Sequence, residues 1–332
     1  MTRVGATSAA NQRAVGDLFA DIRTSLEGVE HRLQEELRSR HDNVDQVVRH
    51  GYRLGGKRLR PALLLLSGQA AGKLTSYHET LAVVVEMIHT ATLVHDDILD
   101  EADLRRHVDT VNARWGNETS VLLGDFLFSH AFYLASTVGT AEACQLIGKS
   151  TNRVCEGEMR QTLAEGDLTL SEDDYYSIID AKTAELCACC CELGARFSDA
   201  DEQTIAALSS YGRHLGMAFQ IADDLLDLAG DEQATGKSLG RDLAKRKLTL
   251  PLIHARDTLV DGPRTNFLSL LEAGAQSTTP MSTLKQLGSL EYARDVALQF
   301  ADKATADLSG LADSPAKATL EHLAAFVVSR QG

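Results

Sequence analysis

Two short acidic clusters carry the chemistry that this sequence can do. The first, HDDILD, gathers Asp96, Asp97 and Asp100, and the second, ADDLLD, gathers Asp223, Asp224 and Asp227. On a helix, residues four apart share one face about one turn from each other. Asp96 therefore points with Asp100, and Asp223 with Asp227. Like charges at that spacing destabilise a helix by about 0.2–0.5 kcal/mol per pair. A hard divalent cation such as Mg2+ would offset this, because it takes oxygen ligands and usually shares them with waters and phosphate oxygens. An exposed acidic helix face is the plain alternative. It fits poorly, since each cluster follows an apolar run (TATLVH and MAFQIA) and so sits where a buried helix meets the surface. The D-x-D-x-D-G loop of an EF-hand is missing.

Basic residues stand close to both clusters. GGKRLRP offers Lys57, Arg58 and Arg60 beside Gly55 and Gly56. Glycine-rich backbone with lysine and arginine suits a diphosphate, although a solvated helix start explains the same residues equally well. Arg105 and Arg106 follow the first cluster; Lys237, Lys245 and Lys247 follow the second. The net charge of −14 argues against a nucleic-acid partner, which needs a basic footprint. An acidic chain that collects its cations near two carboxylate clusters suits a metal-bridged polyphosphate. His89, inside EMIHTATLVHDD, reads on its face as a satisfied core histidine.

These residues need elements to hold them, and the pattern is helical throughout. Apolar residues recur every three or four positions in AVGDLFADIRTSLEGVEHRLQEEL, ETLAVVVEMIHTATLVHDDILDEA, SVLLGDFLFSHAFYLASTV and YGRHLGMAFQIADDLLDLAG. Only five prolines interrupt the 332 residues, and convincing alternating strands are absent. The expected fold is all-α: one domain of about ten or more helices over 13–332, preceded by a flexible stretch over 1–12. No run is long and apolar enough to span a membrane, and the start MTRVGATSAANQR lacks the apolar centre of a secretory signal. The run CACCC, from Cys187 to Cys191, has no second cysteine pair to complete a metal site, so buried thiols in a reducing, cytoplasmic setting are expected.

The order GGKRLRP, EMIHTATLVHDDILDEADLRR, AKTAEL, GMAFQIADDLLDL, GKSLGRDLAKRKLTLP and GSLEYARDVA, between Leu54 and Ala297, resembles the all-trans polyprenyl diphosphate synthases. The resemblance implies a helical prenyltransferase fold, usually homodimeric, with both aspartate clusters facing across the mouth of a central cavity. It implies elongation of an allylic diphosphate by isopentenyl diphosphate. Carried over residue by residue, Asp96, Asp100 and Asp223 would bind Mg2+, three ions being expected with bound diphosphate. Asp97, Asp224 and Asp227 would support them, directly or through water. Arg105, Lys182, Lys237 and Lys247 would hold the allylic diphosphate. Lys57, Arg60, His89 and Arg106 would hold isopentenyl diphosphate. Gln220, with backbone oxygens near Lys182 and Thr183, would face the developing carbocation. One departure stands after LRR, where the family commonly continues with glycine and this chain has His107, then Asp109.

The family resemblance places product growth beside the helix that precedes Asp96. Ala91 and Thr92, one turn below, are small, and Ile88, Val85 and Val84 follow without an aromatic plug. From Val84 to Asp96 is about 18 Å of helix. A long-chain, octaprenyl-like product is therefore expected, with Phe132 as a candidate floor among Phe126, Phe128, Phe132 and Tyr133; all four also read as ordinary core. A class I terpene synthase and a subunit active only in a heteromer are the rival readings. The first normally pairs DDxxD with a different second motif, and the second usually loses aspartates.

Overall fold

The computed structural model describes residues 19–56, 58–105, 107–229, 241–273 and 280–329. The stretch 1–12, expected from the sequence to be flexible, lies outside the described residues. In chain order the helices are α1 (Arg23–Glu36), α2 (Asp42–Arg53), α3 (Leu59–Ala71), α4 (Ser76–Leu99), α5 (Val111–Trp115), α6 (Asn117–Ser136), α7 (Ala141–Leu163) and α8 (Glu172–Ile179). They continue with α9 (Glu185–Arg196), α10 (Glu202–Ala229), α11 (Arg241–Ala244), α12 (Leu250–Thr258), α13 (Asp261–Glu272), α14 (Pro280–Gln286), α15 (Ser289–Asp307) and α16 (Pro315–Ser329). Between α8 and α9 the helix widens into a π-turn, Asp180–Ala184.

Helix α4 is buried on every side from Leu81 to Ile88, all apolar but Glu86, so other elements surround it. It packs along α6, and α3 and α1 cover other faces. Its start is fixed by a reciprocal cap. The Thr75 hydroxyl accepts from the His78 backbone, and His78 Nδ1 accepts from the Thr75 N–H at 2.9 Å. The usual glutamate of a capping box is replaced here by a histidine. Helix α9, which carries the CACCC run, lies against α3 and α10. Cys187, Cys189, Cys190 and Cys191 are all buried and unbridged. Burial pushes the Cys189 thiol up to about 12, so these are inert core residues.

Helix α10 joins α9 on one side to α15 on the other. A main hydrophobic cluster gathers α1, α3, α4, α6, α9 and α16, and a second one gathers α12, α13 and α15. Phe300 and Val328 pack against both. The sequence pattern shows no strand, yet Leu104–Arg105 (β1) and Val108–Asp109 (β2) pair as an antiparallel hairpin just beyond α4. Two residues per strand leave no alternation to detect. His107 takes the left-handed conformation in the turn, φ 64°, where a glycine would be unstrained. Asp109 is anchored through its carbonyl, which accepts from His50 Nε2 at 2.7 Å.

Candidate active site

The two acidic clusters sit at the ends of two buried helices and are built alike. In each, the first and fifth aspartates are partly exposed: Asp96 and Asp100 on α4, Asp223 and Asp227 on α10. The second aspartate of each is buried, Asp97 at 1% exposure and Asp224 at 2%. Each buried carboxylate has a cation of its own. Arg105 Nε donates to both oxygens of Asp97, at 2.9 and 3.1 Å, and Nη2 reaches Oδ1 at 2.7 Å. Lys247 lies 3.7 Å from Asp224. Asp97 and Asp224 are thus each held by a cation inside the fold. Asp97 orients Arg105, and Asp224 orients a polar network.

That network crosses to the first cluster. Tyr175 donates to Asp224 Oδ2 at 2.8 Å, and Gln220 Nε2 donates to Oδ1 at 2.8 Å. The Gln220 oxygen accepts from the Thr183 hydroxyl at 2.7 Å. Next in the chain, Lys182 pairs with Glu158 at 2.6 Å, and both charges act on Asp96. A second bridge runs through the segment after α10. Lys245 Nζ binds Asp100 Oδ1 at 2.5 Å and the Leu99 carbonyl at 3.1 Å. The same segment returns to the second cluster, where the Asp242 N–H donates to Asp227 at 3.0 Å and Lys247 pairs with Asp242 at 3.3 Å. Two clusters far apart in sequence thus frame one mouth.

Burial pushes the Asp96 carboxyl up to about 7, against the pull of Lys182, and Glu158 and Asp100 add to the rise. Burial likewise pushes Asp224 up to about 6, opposed by Lys247. Burial pulls the Lys247 ammonium down, but Asp224 and Asp242 outweigh it and raise it above the ordinary lysine value. The carboxylates of both clusters offer hard oxygen donors. This donor set fits Mg2+. Among the described residues no group of three or more His, Cys, Asp or Glu could hold a metal by itself. A cation would need oxygens from the ligand as well, which is the usual habit of Mg2+.

The GGKRLRP segment places its residues unequally. Arg58 folds inward in the left-handed region, φ 54°, and binds Glu30 at 2.9 Å and Glu86 at 2.7 Å. A Cβ on Gly55 would stand 2.2 Å from the Arg58 guanidinium, so a larger residue there would push that group aside. Arg60 Nη1 donates to His89 Nε2 at 2.9 Å, and Arg60 Nε is buried without a partner. Arg60 and His89 are thus brought together, with one donor unspent. Lys57, Arg106 and Lys237 lie outside the described residues.

The chain-length positions divide. Along α4 the partly exposed stripe is His89, Thr92, Leu93, Asp96 and Asp100. Thr92 belongs to it. Ala91 and Ile88 do not: both are fully enclosed in the main core, at 0% exposure, as are Val84 and Val85. None of these four side chains faces open space in this structure. Phe132 packs on the same core, and a Cβ on Gly148 of α7 would stand 3.8 Å from its ring. His95 turns toward α6, where Nε2 donates to the Val121 carbonyl at 3.2 Å. Sequence reasoning missed Glu158, Tyr175 and Asp242, whose partners are remote and whose own spacing carries no signal.

Comparison with known proteins agrees with this architecture. The chain matches the Polyprenyl synthetase family over residues 41–286. It is 36% identical over 323 residues to the octaprenyl diphosphate synthase of Escherichia coli (strain K12), covering 96% of this chain and 99% of that one. A crystal structure of a decaprenyl diphosphate synthase from Rhodobacter capsulatus superposes with a TM-score of 0.89 at 35% identity, covering 96% of this chain and 99% of the other. The polyprenyl synthase of Caulobacter crescentus CB15, solved with calcium and isoprenyl diphosphate, also gives 0.89, at 36% identity over 96% and 98% of the two chains. The helical fold together with these matches defines a prenyltransferase. The chain belongs to the polyprenyl synthetase family, and it is an enzyme that elongates prenyl diphosphates. No helix among the described residues is long and apolar enough to cross a membrane.

Proposed function

We propose that this enzyme condenses isopentenyl diphosphate with an allylic diphosphate, in a Mg2+-dependent reaction, to give a long-chain all-trans polyprenyl diphosphate. The observation that carries the reading is the linkage of the two clusters: Lys245 binds Asp100 while nearby Asp242 binds Asp227, and Lys182, which acts on Asp96, adjoins the Thr183–Gln220–Asp224 chain. Asp96, Asp100 and Asp223 would hold the cations, with Asp227 beside them. Bound Mg2+ supplies electrostatic stabilisation of the departing diphosphate. The calcium and isoprenyl diphosphate bound to the Caulobacter relative support this assignment.

Ionisation of the allylic C–O bond puts negative charge on diphosphate and positive charge on carbon. Arg105, Lys182 and Lys247 receive the first; Lys237, outside the described residues, is proposed with them. Preorganised cations need little rearrangement as charge develops. The Gln220 amide and the carbonyls of the π-turn near Lys182 and Thr183 face the second. Their dipoles stabilise the cation without offering a nucleophile that would trap it. Arg60 and His89, with Lys57 and Arg106, would hold isopentenyl diphosphate, and the unspent Arg60 Nε is a donor for it. The double bond then attacks, and the released diphosphate takes the proton lost in elimination.

The long product rests on the stripe from Asp96 past Thr92 to His89, which bears no aromatic side chain, and on the names of the octaprenyl and decaprenyl relatives. A homodimer is supported by exposed apolar side chains on neighbouring helices: Leu122 and Tyr133 on α6, Met159 and Leu163 on α7. Incubation of the purified chain with farnesyl diphosphate, isopentenyl diphosphate and Mg2+ tests the activity. Long all-trans products are expected. Cyclised products, or no need for isopentenyl diphosphate, would overturn the reading in favour of a terpene synthase.

A further inference from the structure

The π-turn Asp180–Ala184 closes when the Glu185 N–H donates to the Asp180 carbonyl, five residues back. On an α-helix, side chains five apart point about 140° from each other. The wider i to i+5 closure narrows that angle. Asp180 and Glu185 therefore present both carboxylates on one side, and two arginines bridge them. Arg153 of α7 reaches Asp180 at 2.8 Å and Glu185 at 3.2 Å. Arg213 of α10 reaches Asp180 at 2.5 Å and Glu185 at 2.8 Å. Each arginine binds both acids, and the acids bracket the turn.

Each arginine also stands one turn before a glycine that presses on the turn's backbone. A Cβ on Gly157 of α7 would lie 2.6 Å from the Lys182 nitrogen, and a Cβ on Gly216 of α10 would lie 2.5 Å from the Ala184 Cα. Neither neighbour is a flexible side-chain end, so neither can step aside. Two helices thus seat the same π-turn by the same means, a charge clamp and a bare backbone contact. What the turn presents is Lys182, on Glu158, and Thr183, on Gln220.

We infer that Asp180, Glu185, Arg153 and Arg213 form an ion clamp that fixes the π register and so aims Lys182 and Thr183 into the mouth. All four are positioning residues. The inference rests on the reading of Lys182 as a diphosphate ligand. Part-exposed ion pairs contribute little to global stability, and both arginines are part-exposed, at 42% and 33%. Their geometry instead selects a register. Relaxation to an α-turn would shift the following side chains by one residue, about 100° around the axis, and carry Lys182 off the mouth.

The test compares Arg213→Met, Arg213→Lys, Gly157→Ala, Lys182→Ala and the double variant Arg213→Met/Lys182→Ala in the full chain. Calorimetry with inorganic diphosphate and Mg2+ gives binding, and steady-state assays give KM for each substrate. Arg213→Met is expected to weaken diphosphate binding and raise the allylic KM about tenfold, leaving the isopentenyl diphosphate KM nearly unchanged. Gly157→Ala should show the same split, and Arg213→Lys should recover part of it. The double variant should be no weaker than Lys182→Ala, because both losses pass through one ammonium. Unchanged diphosphate binding in Arg213→Met, or a loss that multiplies with that of Lys182→Ala, overturns the clamp alone. If Lys182→Ala itself leaves diphosphate binding intact, the reading of Lys182 falls and takes the clamp with it.

Discussion

Lys245 and Asp100, 145 residues apart in the chain, meet at 2.5 Å across the mouth of the site. The pair is partly exposed, at 28% and 43% of the two side chains, so it adds at most about 1 kcal/mol to stability. Its effect is expected at the site, because it competes with the Mg2+ proposed for Asp100. Lys245→Ala is expected to leave the unfolding midpoint almost unmoved. The Mg2+ concentration for half-maximal activity should fall by up to about fivefold, the equivalent of about 1 kcal/mol. A rise in the Mg2+ requirement would count against this.

Asp97 pairs with Arg105 inside the fold at 2.7 Å. Removing one member of a buried ion pair leaves the other charge uncompensated, at about 3–5 kcal/mol when both are enclosed. Arg105 retains 18% exposure, which lowers the expected loss for Asp97→Asn to about 2–3 kcal/mol. Urea unfolding measures it, and a loss below about 0.5 kcal/mol would remove Asp97 from this role.

His78 gives the fold a pH dependence of known sign. The Thr75 N–H occupies Nδ1, so the ring proton sits on Nε2, which donates to the Gly194 carbonyl at 2.9 Å. Burial holds the imidazole below its ordinary value of 6.5. The unfolded chain therefore takes up the proton first as pH falls. The contribution of His78 is fully present above about pH 6.5 and is lost below it. Thermal unfolding of the native chain should weaken more steeply from pH 7 to 5 than that of His78→Gln. Equal slopes would refute the assignment.

His107 turns the β-hairpin with φ at 64°. The left-handed region costs a residue with a Cβ about 1–2 kcal/mol, while glycine gives back about 0.5–1 kcal/mol in chain entropy. The first term is larger. His107→Gly is expected to stabilise by about 0.5–1 kcal/mol, seen as a higher unfolding temperature. Destabilisation would show that the His107 side chain makes a contribution of its own.

Thr92 and Ala91 are neighbours with opposite surroundings. Thr92→Phe adds a ring to the open stripe and should shorten the product without loss of stability. Ala91→Phe adds it inside a closed core and should destabilise by about 1–3 kcal/mol. Product chromatography beside thermal unfolding separates the two. Long products from Thr92→Phe would move the growing chain to another wall.

The sequence exposed the parts that repeat locally. Two DDxxD clusters after apolar runs announced both helix ends, and the 3.6 period announced the helices that carry them. The division between Ala91 and Thr92 was also within reach: four residues before Asp96 lies about 40° around the helix, five lies about 140°. What stayed hidden depends on distant partners. Glu158 meets Lys182, and Tyr175 meets Asp224 across 49 residues. Asp97 and Asp224 look like any other member of DDxxD until Arg105 and Lys247 are seen to claim them. The π-turn leaves no mark either, since AKTAEL reads as unbroken helix.

Around the mouth, Lys182 rests on Glu158, Lys245 on Asp100 and Lys247 on Asp242. The resting protein is thus a set of internal salts, and ligand uptake resembles a double decomposition. Under the proposed function, magnesium alone would have to strip a carboxylate and strand an ammonium; diphosphate alone would have to do the reverse. Arriving together, they satisfy both halves of each broken pair. Each is therefore expected to bind feebly by itself and firmly in the other's company, a synergy set by these three pairs.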